Sequence, residues 1–426
     1  MKIETLYEHF INSSGICTDT RKITSNCLFF ALKGDSFDGN SFTEQALEKG
    51  ASKVVIDNIK FHRNTGETIL CDDSLSLLQK LAKYHRTVLG IPIIALTGSN
   101  GKTTTKELIN AVLSQHFKTT ATLGNLNNHI GVPLTLLSMT SETEIGIVEM
   151  GANHLKEIET LCEIAMPDYG YITNFGKAHL EGFGSLEGVI KGKSELYKHL
   201  NDHHKLAFVN GNDPKQIEVS AKLKRYTFGT DLHDCYIQLK DASEMVKVEY
   251  DGQTIQSNLI GLYNFHNIAA AIAMGSYFKV PSEKIKKAIE NYVPTNNRSQ
   301  LIKKGKHTII LDAYNANPTS MMAALENFKQ ASGQNKVLFL GDMFEVGTTV
   351  AQEHEAIVRF LSENNFRKAY LIGDHFFNTK TQAPFIQKFK TFEDFKHVFK
   401  NETLSENTLL IKASRGMALE RILDLL

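Results

Sequence analysis

Cysteine is sparse among the 426 residues: Cys17, Cys27, Cys71, Cys162 and Cys235 are odd in number, scattered, and never arranged as C-x-x-C. That argues against a disulfide framework and a zinc knuckle and leaves reduced, partly buried thiols. A net charge is absent too. Lys plus Arg number 47 and Asp plus Glu 47, so the molecule as a whole exerts no pull on nucleic acid or anionic lipid, and any anion site has to be local. No apolar run approaches the ~18 residues of a membrane span. The start, Met1-Lys2-Ile3-Glu4-Thr5, lacks the basic-then-apolar pattern of a secretory leader. These absences lead us to expect a cytoplasmic protein with no nucleic-acid partner and no membrane span, and a monomer as the default. Low-complexity tracts and internal repeats are missing as well. What remains, 42% hydrophobic and 22% charged residues, is the balance of a folded globular chain, and its length predicts two or three domains at ~150 residues each.

The pattern of strands and helices predicts an α/β protein of three domains, 1–86, 87–297 and 298–426. The first is a small α/β unit with strand-like runs at Cys27–Leu32 and Lys53–Asp57. In the second, the apolar run Ile93–Leu96 enters a glycine-rich turn, and Leu108, Ile109, Val112 and Leu113 then recur at helical spacing. Further strands are expected at Ile145–Glu149, Tyr169–Thr173 and Leu206–Val209, which together predict a doubly wound, mainly parallel sheet of the P-loop type. The third repeats strand-then-helix four times, with strands at Thr308–Leu311, Lys336–Leu340, Ala369–Ile372 and Thr408–Ile411. Asn317-Pro318 reads as an N-cap followed by a first-turn proline, with Met321, Leu325 and Phe328 facing inward. This third unit is Rossmann-like but has no G-x-G-x-x-G, so nothing supports dinucleotide binding.

The strongest chemical signal is the turn Gly98-Ser99-Asn100-Gly101-Lys102-Thr103-Thr104 between a buried strand and a helix. Such a loop offers backbone N–H groups and a helix N-terminus to phosphate oxygens, while Lys102 can reach the β/γ-phosphates and Thr103 can ligate magnesium. The full G-x-x-x-x-G-K-[ST] pattern would need glycine where Leu96 stands, so only the short form G-x-x-G-K-T is present. Phosphoryl chemistry also needs a metal-binding carboxylate. Glu149 ends a strand at the carboxyl edge of the sheet and suits that role, the alternative being a solvated strand-end carboxylate. His179 lies on the same loop side, though a lone histidine among 16 is more often structural or exposed than ligating.

Together the turn 98–104, the segment Asn125-Leu126-Asn127-Asn128-His129-Ile130-Gly131-Val132-Pro133, Glu149-Met150-Gly151 and Ile172-Thr173-Asn174-Phe175-Gly176-Lys177-Ala178-His179-Leu180 resemble the Mur ligase family. Within it, Asp312 to Met321 and Gly341 to Val346-Gly347 are similar to the members that join D-alanyl-D-alanine to UDP-N-acetylmuramoyl-tripeptide. Thr18-Asp19-Thr20-Arg21, Leu28 to Gly34 and Asp38-Gly39 resemble their UDP-sugar domain.

The resemblance implies an ATP-dependent amide ligase of peptidoglycan precursor synthesis that works through an acyl phosphate. It implies a UDP-sugar-binding domain at 1–86, an ATP-binding domain at 87–297 and a C-terminal ligase domain at 298–426. ATP would be held by Gly98, Ser99, Asn100, Gly101, Lys102, Thr103 and Thr104, with His266 and Asn267 at adenine and Arg298 and Asp312 reaching phosphates and ribose. One or two magnesium ions would be bound by Thr103, Glu149 and His179. Lys193 occupies the place of a lysine that several members carbamylate to bind a second ion, the alternative being a lysine that neutralises phosphate or is solvated. Lys102, His179 and Lys193 would be catalytic, and Thr20, Arg21, Asn127, Asn128, Asn315 and Asn317 would contact substrate. Asn212 stands where relatives often carry a second acidic residue, and Ala413 where glycine is common. Rival readings are a sister Mur or folylpolyglutamate-type ligase with another acceptor, and a nucleotide-gated switch ATPase.

Overall fold

Short buried strands wrapped by amphipathic helices build three sheet-centred units in the computed structural model, which describes residues 2–426 apart from 296, 334, 401, 403 and 405. The first has a parallel sheet in the order Ile16–Cys17, Leu28–Phe30, Lys53–Ile56, Thr68–Leu70. Leu28–Phe30 is buried throughout, which is why its run is unbroken rather than alternating. It is shorter than the expected Cys27–Leu32 because the chain then turns into a small hairpin of Lys33–Gly34 and Phe37–Asp38.

The helix Ser74–Leu89 is capped by Asp73, whose side chain accepts from the Ser76 N–H, and it ends at Gly90 with φ +61°. Its apolar face, Leu78, Leu81 and Ala82, shares one core with Ile93, Ala95, Val132 and Leu136 of the second unit. Arg86 reinforces that seam, donating to Asp168 at 2.7 Å and to the Ala165 carbonyl at 3.1 Å.

The second unit carries seven parallel strands in the order Cys235–Tyr236, Lys224–Gly229, Leu206–Asn210, Tyr169–Ile172, Ile93–Thr97, Ile145–Glu149, Thr119–Ala121. The doubly wound expectation therefore holds, and Ile93–Thr97 sits where the strand order reverses, the place ligands occupy in open α/β sheets. An antiparallel sheet of Gln238–Asp241, Met245–Tyr250 and Gln253–Ile260 follows. The helix Tyr263–Tyr277 after it is apolar on nearly every side and buried accordingly.

The third unit orders its strands Gln300–Lys304, His307–Asp312, Thr408–Lys412, Val337–Gly341, Lys368–Ile372, Ile386–Phe389, with only the first pair antiparallel. All four expected strands are present. Asn317 caps the helix Pro318–Gln330 through a reciprocal bond with Ser320, and Met321, Leu325 and Phe328 are buried as expected. One expectation needs correction: no α-helix follows Thr408–Lys412. Two 3-10 segments, Arg415–Met417 and Leu419–Leu425, stand there instead, separated by Ala418 at φ +49°, which breaks helical propagation.

Candidate active site

The carboxyl edge of the central sheet faces the C-terminal unit across a cavity of about 920 Å³. One wall is the glycine-rich turn. Gly98 (φ +141°) and Gly101 (φ +81°) adopt backbone conformations that favour glycine, and each is also closely approached. A Cβ on Gly98 would lie 2.0 Å from Thr173 Oγ1, and one on Gly101 would lie 2.6 Å from Asn267 Oδ1. The turn is pinned to the next strand's loop: Asn100 N–H donates to Asn174 Oδ1 at 3.1 Å, and Ser99 Oγ donates to the Gly176 carbonyl at 2.8 Å. The helix Lys102–Leu113 begins immediately after, and the Thr105 N–H is the first to bond within it, to Gly101. The N–H groups of Lys102, Thr103 and Thr104 therefore stay available to an anion at a helix N-terminus. Lys102 Nζ donates back to the Gly98 carbonyl at 2.8 Å. Burial pushes its ammonium below the ordinary lysine range, Glu149 opposes that shift, and Arg298 adds to it.

Glu149 is 1% exposed. Its Oε1 accepts from Thr103 Oγ1 at 3.2 Å and from Asn127 Nδ2 at 2.8 Å, while its buried Oε2 has no hydrogen-bond partner. Lys106 Nζ stands 4.0 Å from that oxygen. A buried carboxylate oxygen without a donor, beside a hydroxyl and next to the phosphate turn, fits a hard divalent cation completed by phosphate and water. Among the described residues no group of three His, Cys, Asp or Glu side chains gathers as a metal cage. His179 borders the same cavity with its Nδ1 2.6 Å from Glu345 Oε2. The neighbouring His179 ring holds the Glu345 carboxyl below the usual carboxylate range against the opposing effect of burial, although Nδ1 itself makes no aligned hydrogen bond.

The opposite wall is C-terminal. Asp312 accepts from the Ser299 N–H at 3.0 Å and from Lys412 Nζ at 2.6 Å, and Arg298 stacks its guanidinium 3.5 Å from the Tyr314 ring centre. Arg298 Nε is buried and unpartnered. Asn317 Nδ2 donates to Asn100 Oδ1 at 2.7 Å, tying this wall directly to the phosphate turn.

Ser99, Asn100, Gly101, Lys102, Thr103, Thr104, Asn127, Asn128, Glu149, His179, Asn267, Arg298, Asp312, Asn315 and Asn317 thus line one space. Gly98, Lys193, His266, Thr20 and Arg21 do not. His266 and Asn267 are consecutive on a helix and so point about 100° apart: Asn267 approaches Gly101, while His266 pairs with Asn210 at 3.2 Å. Lys193 is fully buried behind the wall, donating to the Ala152 carbonyl at 2.8 Å, and burial depresses its ammonium strongly. Arg21 is exposed and paired with its own neighbour Asp19. Asn128 has its Oδ1 occupied by the Gly131 N–H at 2.9 Å. Ala413 packs its methyl where Gly341 has no side chain, since a Cβ there would come within 2.7 Å of it.

Sequence reasoning missed Lys412 and Glu345. The first carried a faint signal, a lysine closing a fully buried strand. The second lies in the 341–347 stretch that carries part of the resemblance, but its contact with a residue in another unit left no mark in the sequence.

Comparison with known proteins agrees with this layout. Three family domains match in order: Mur ligase family, catalytic domain, over residues 12–85; Mur ligase middle domain over 96–275; and Mur ligase, glutamate ligase domain, over 297–418. The chain is 37% identical to the UDP-N-acetylmuramoyl-tripeptide--D-alanyl-D-alanine ligase of Bacillus subtilis, covering 96% of this chain and 92% of the relative. It is 31% identical to the Escherichia coli protein of that name, covering 97% and 93%. Among solved structures, MurF from Acinetobacter baumannii superposes with a TM-score of 0.87 at 30% identity, covering 100% of this chain and 98% of that one. MurF ligase from Thermotoga maritima, solved with ADP, gives 0.85 at 25% identity, covering 98% and 97%. With three domain matches in sequence order and relatives alike along nearly their whole length, the chain belongs to the Mur ligase family.

Proposed function

We propose that this ligase joins D-alanyl-D-alanine to UDP-N-acetylmuramoyl-tripeptide at the expense of ATP, in peptidoglycan precursor synthesis, as a cytoplasmic monomer. The observation that carries the reading is the single cavity in which a phosphate-binding turn, a buried carboxylate with an unpartnered oxygen and a C-terminal Arg298–Asp312–Lys412 group face each other. Relatives bearing that activity in their names match along nearly the whole chain, and one structural neighbour holds ADP.

In this reading 1–86 takes the UDP-sugar, 87–297 the ATP, and 298–426 completes the ligase site. The first division falls inside the helix Ser74–Leu89. The helix N-terminus and Lys102 bind the β- and γ-phosphates, Asn267 and Asp312 orient the nucleoside, and Arg298 meets the transferred phosphoryl. The tripeptide carboxylate oxygen attacks the γ-phosphorus and ADP leaves. The D-alanyl-D-alanine amine then attacks the acyl carbon, the C–O bond to phosphate breaks, and the nitrogen loses a proton. Thr103 and Glu149, with His179 as a further side chain, would hold magnesium, which would supply charge neutralisation on the phosphates. Lys193 would be the lysine for carbamylation, its burial favouring the neutral amine that adds to CO2, while in this conformation it stands behind the cavity wall with its ammonium on the Ala152 carbonyl. Seating of the C-terminal unit excludes water from the acyl phosphate.

The test is phosphate release by the purified protein with ATP and Mg²⁺, adding UDP-N-acetylmuramoyl-tripeptide and D-alanyl-D-alanine singly and together, with mass detection of the product. Release that needs both and yields the condensed pentapeptide is expected. Release without acceptor dependence would replace this reading with a switch ATPase, and silence would point to a sister substrate.

A further inference from the structure

A second lysine stands behind Glu149. Lys106 lies one turn beyond Lys102 on the helix Lys102–Leu113, is 3% exposed and does not border the cavity. Its Nζ donates to the Gly124 carbonyl at 3.4 Å, in the loop that also supplies Asn127, and it faces two carboxylates, Glu107 Oε1 at 3.9 Å and Glu149 Oε2 at 4.0 Å. Glu107 is engaged elsewhere, since its Oε2 accepts from Tyr292 Oη at 2.6 Å. Glu149 is therefore the carboxylate whose charge Lys106 is left to balance. Burial pulls the Lys106 ammonium below the ordinary lysine range, Glu149 and Glu107 oppose that shift, and Arg298 adds to it.

The spacing decides what the lysine can do. At 4.0 Å its ammonium is beyond hydrogen-bond reach of Glu149 Oε2, so it compensates a buried charge without covering the oxygen. Glu149 Oε1 is meanwhile fixed by Thr103 and Asn127. One carboxylate oxygen is thus left open to a cation, with a positive charge built in beside it. A divalent ion at that oxygen meets the lysine in a place where solvent and salt screen little. On its own the ion gains one carboxylate and is repelled by one ammonium. Nucleotide phosphates at the turn 98–104 add negative charge from the cavity side and tip the balance toward binding.

We propose that Lys106 is a positioning residue acting through Glu149, and that its charge makes divalent-cation binding at that carboxylate conditional on a bound nucleotide. The proposal rests on the assignment of Thr103 and Glu149 to the metal given under Proposed function.

The test is Mn²⁺ binding, read by electron paramagnetic resonance on wild type, Lys106→Gln, Lys106→Met, Lys106→Arg and Glu149→Gln, with and without saturating ADP and corrected for Mn²⁺ held by ADP in solution. Circular dichroism checks each fold. Lys106→Gln removes the charge and keeps a donor for the Gly124 carbonyl. It is expected to tighten Mn²⁺ binding without ADP by at least about tenfold and to change it less than about threefold with ADP. The enhancement that ADP confers on Mn²⁺ then shrinks, and by reciprocity so does the enhancement that Mn²⁺ confers on ADP in calorimetric titration. Lys106→Met should do the same, and Lys106→Arg, which keeps the charge, should keep the wild-type enhancement. Neutral variants that bind Mn²⁺ without ADP no more tightly than wild type, or that shift equally with and without ADP, would overturn the proposal. Failure of both neutral variants to fold would also overturn it, by making the lysine structural. Glu149→Gln that binds Mn²⁺ with ADP as wild type does would defeat the metal assignment, and the proposal with it. Wild type that shows the enhancement yet forms no pentapeptide would defeat the substrate reading alone.

Discussion

Replacing Lys412 by methionine tests how the C-terminal wall is held. Asp312 and Lys412 are direct neighbours on paired parallel strands, the lysine is 1% exposed, and the two charges are 2.6 Å apart. At that distance Coulomb's law with an effective dielectric constant of about 20 gives roughly 6 kcal/mol of attraction. Desolvation of both groups consumes much of it, and removing one partner of a buried pair costs about 3–5 kcal/mol because the other charge is stranded. Asp312 retains 17% side-chain exposure and a bond from the Ser299 N–H, which places the expected loss near the lower figure, about 3 kcal/mol. For a unit of this size that lowers the thermal midpoint by roughly 10 °C. The assay is calorimetry on wild type, Lys412→Met, Asp312→Asn and the double variant, read at the C-terminal transition. The double variant should be less damaged than the summed singles by at least about 1 kcal/mol, since the second change removes an already stranded charge. Single losses that add to within about 0.5 kcal/mol would refute the pairing argument.

Three further outcomes are expected. Lys102→Ala should cut substrate-dependent phosphate release by at least ~100-fold with an unchanged circular dichroism spectrum; wild-type turnover in a folded variant would remove Lys102 from the site. Gly101→Ala places a side chain at φ +81° against Asn267, costing about 1–2 kcal/mol in backbone strain, and should weaken ADP binding about tenfold or more in calorimetric titration. His354 is buried and accepts the Met343 N–H at Nε2 while its Nδ1 donates to the Val350 carbonyl. Burial depresses its folded pKa below the unfolded value of about 6.5, so the unfolded chain binds more protons and stability falls as pH drops through about 6.5 toward the folded pKa. His354→Gln should reduce that acid-side slope in melts taken between about pH 5 and 7, and an unaltered slope would exclude His354 as its source.

The phosphate turn was readable because two local signals coincide there: the unbroken apolar run Ile93–Leu96 and glycines that the left-handed turn requires. Glu149 was readable as the polar end of another buried run. The strands Lys224–Gly229 and Gln300–Lys304 were not: the first begins exposed and charged and is buried only at its end, and the second exposes alternate residues and is half polar. Met245–Tyr250 does alternate, burying Val246 and Val248, but alternation over six residues competes with helix patterns of similar length. The pairing of Glu345 with His179, and of Asn317 with Asn100, joins residues 166 and 217 positions apart, beyond any periodicity. His266 was expected beside Asn267, and helical geometry separates what sequence adjacency suggested.

The core shared between the helix Ser74–Leu89 and the central sheet also bears on how the chain comes off the ribosome. Leu78, Leu81 and Ala82 share a core that extends to Ala165, His85 bonds the Met139 carbonyl, and Arg86 reaches Ala165 and Asp168. At about 5–20 residues per second, roughly 80 further residues take on the order of ten seconds to be made. During that interval the helix has an apolar stripe with nothing to cover it from the central side, so the opening segment presents exposed apolar surface until the second unit arrives. The C-terminal unit meets the central one through polar contacts at the phosphate turn and a smaller apolar patch, Ile260, Leu180 and Met245 against its own core, so what it leaves uncovered is less.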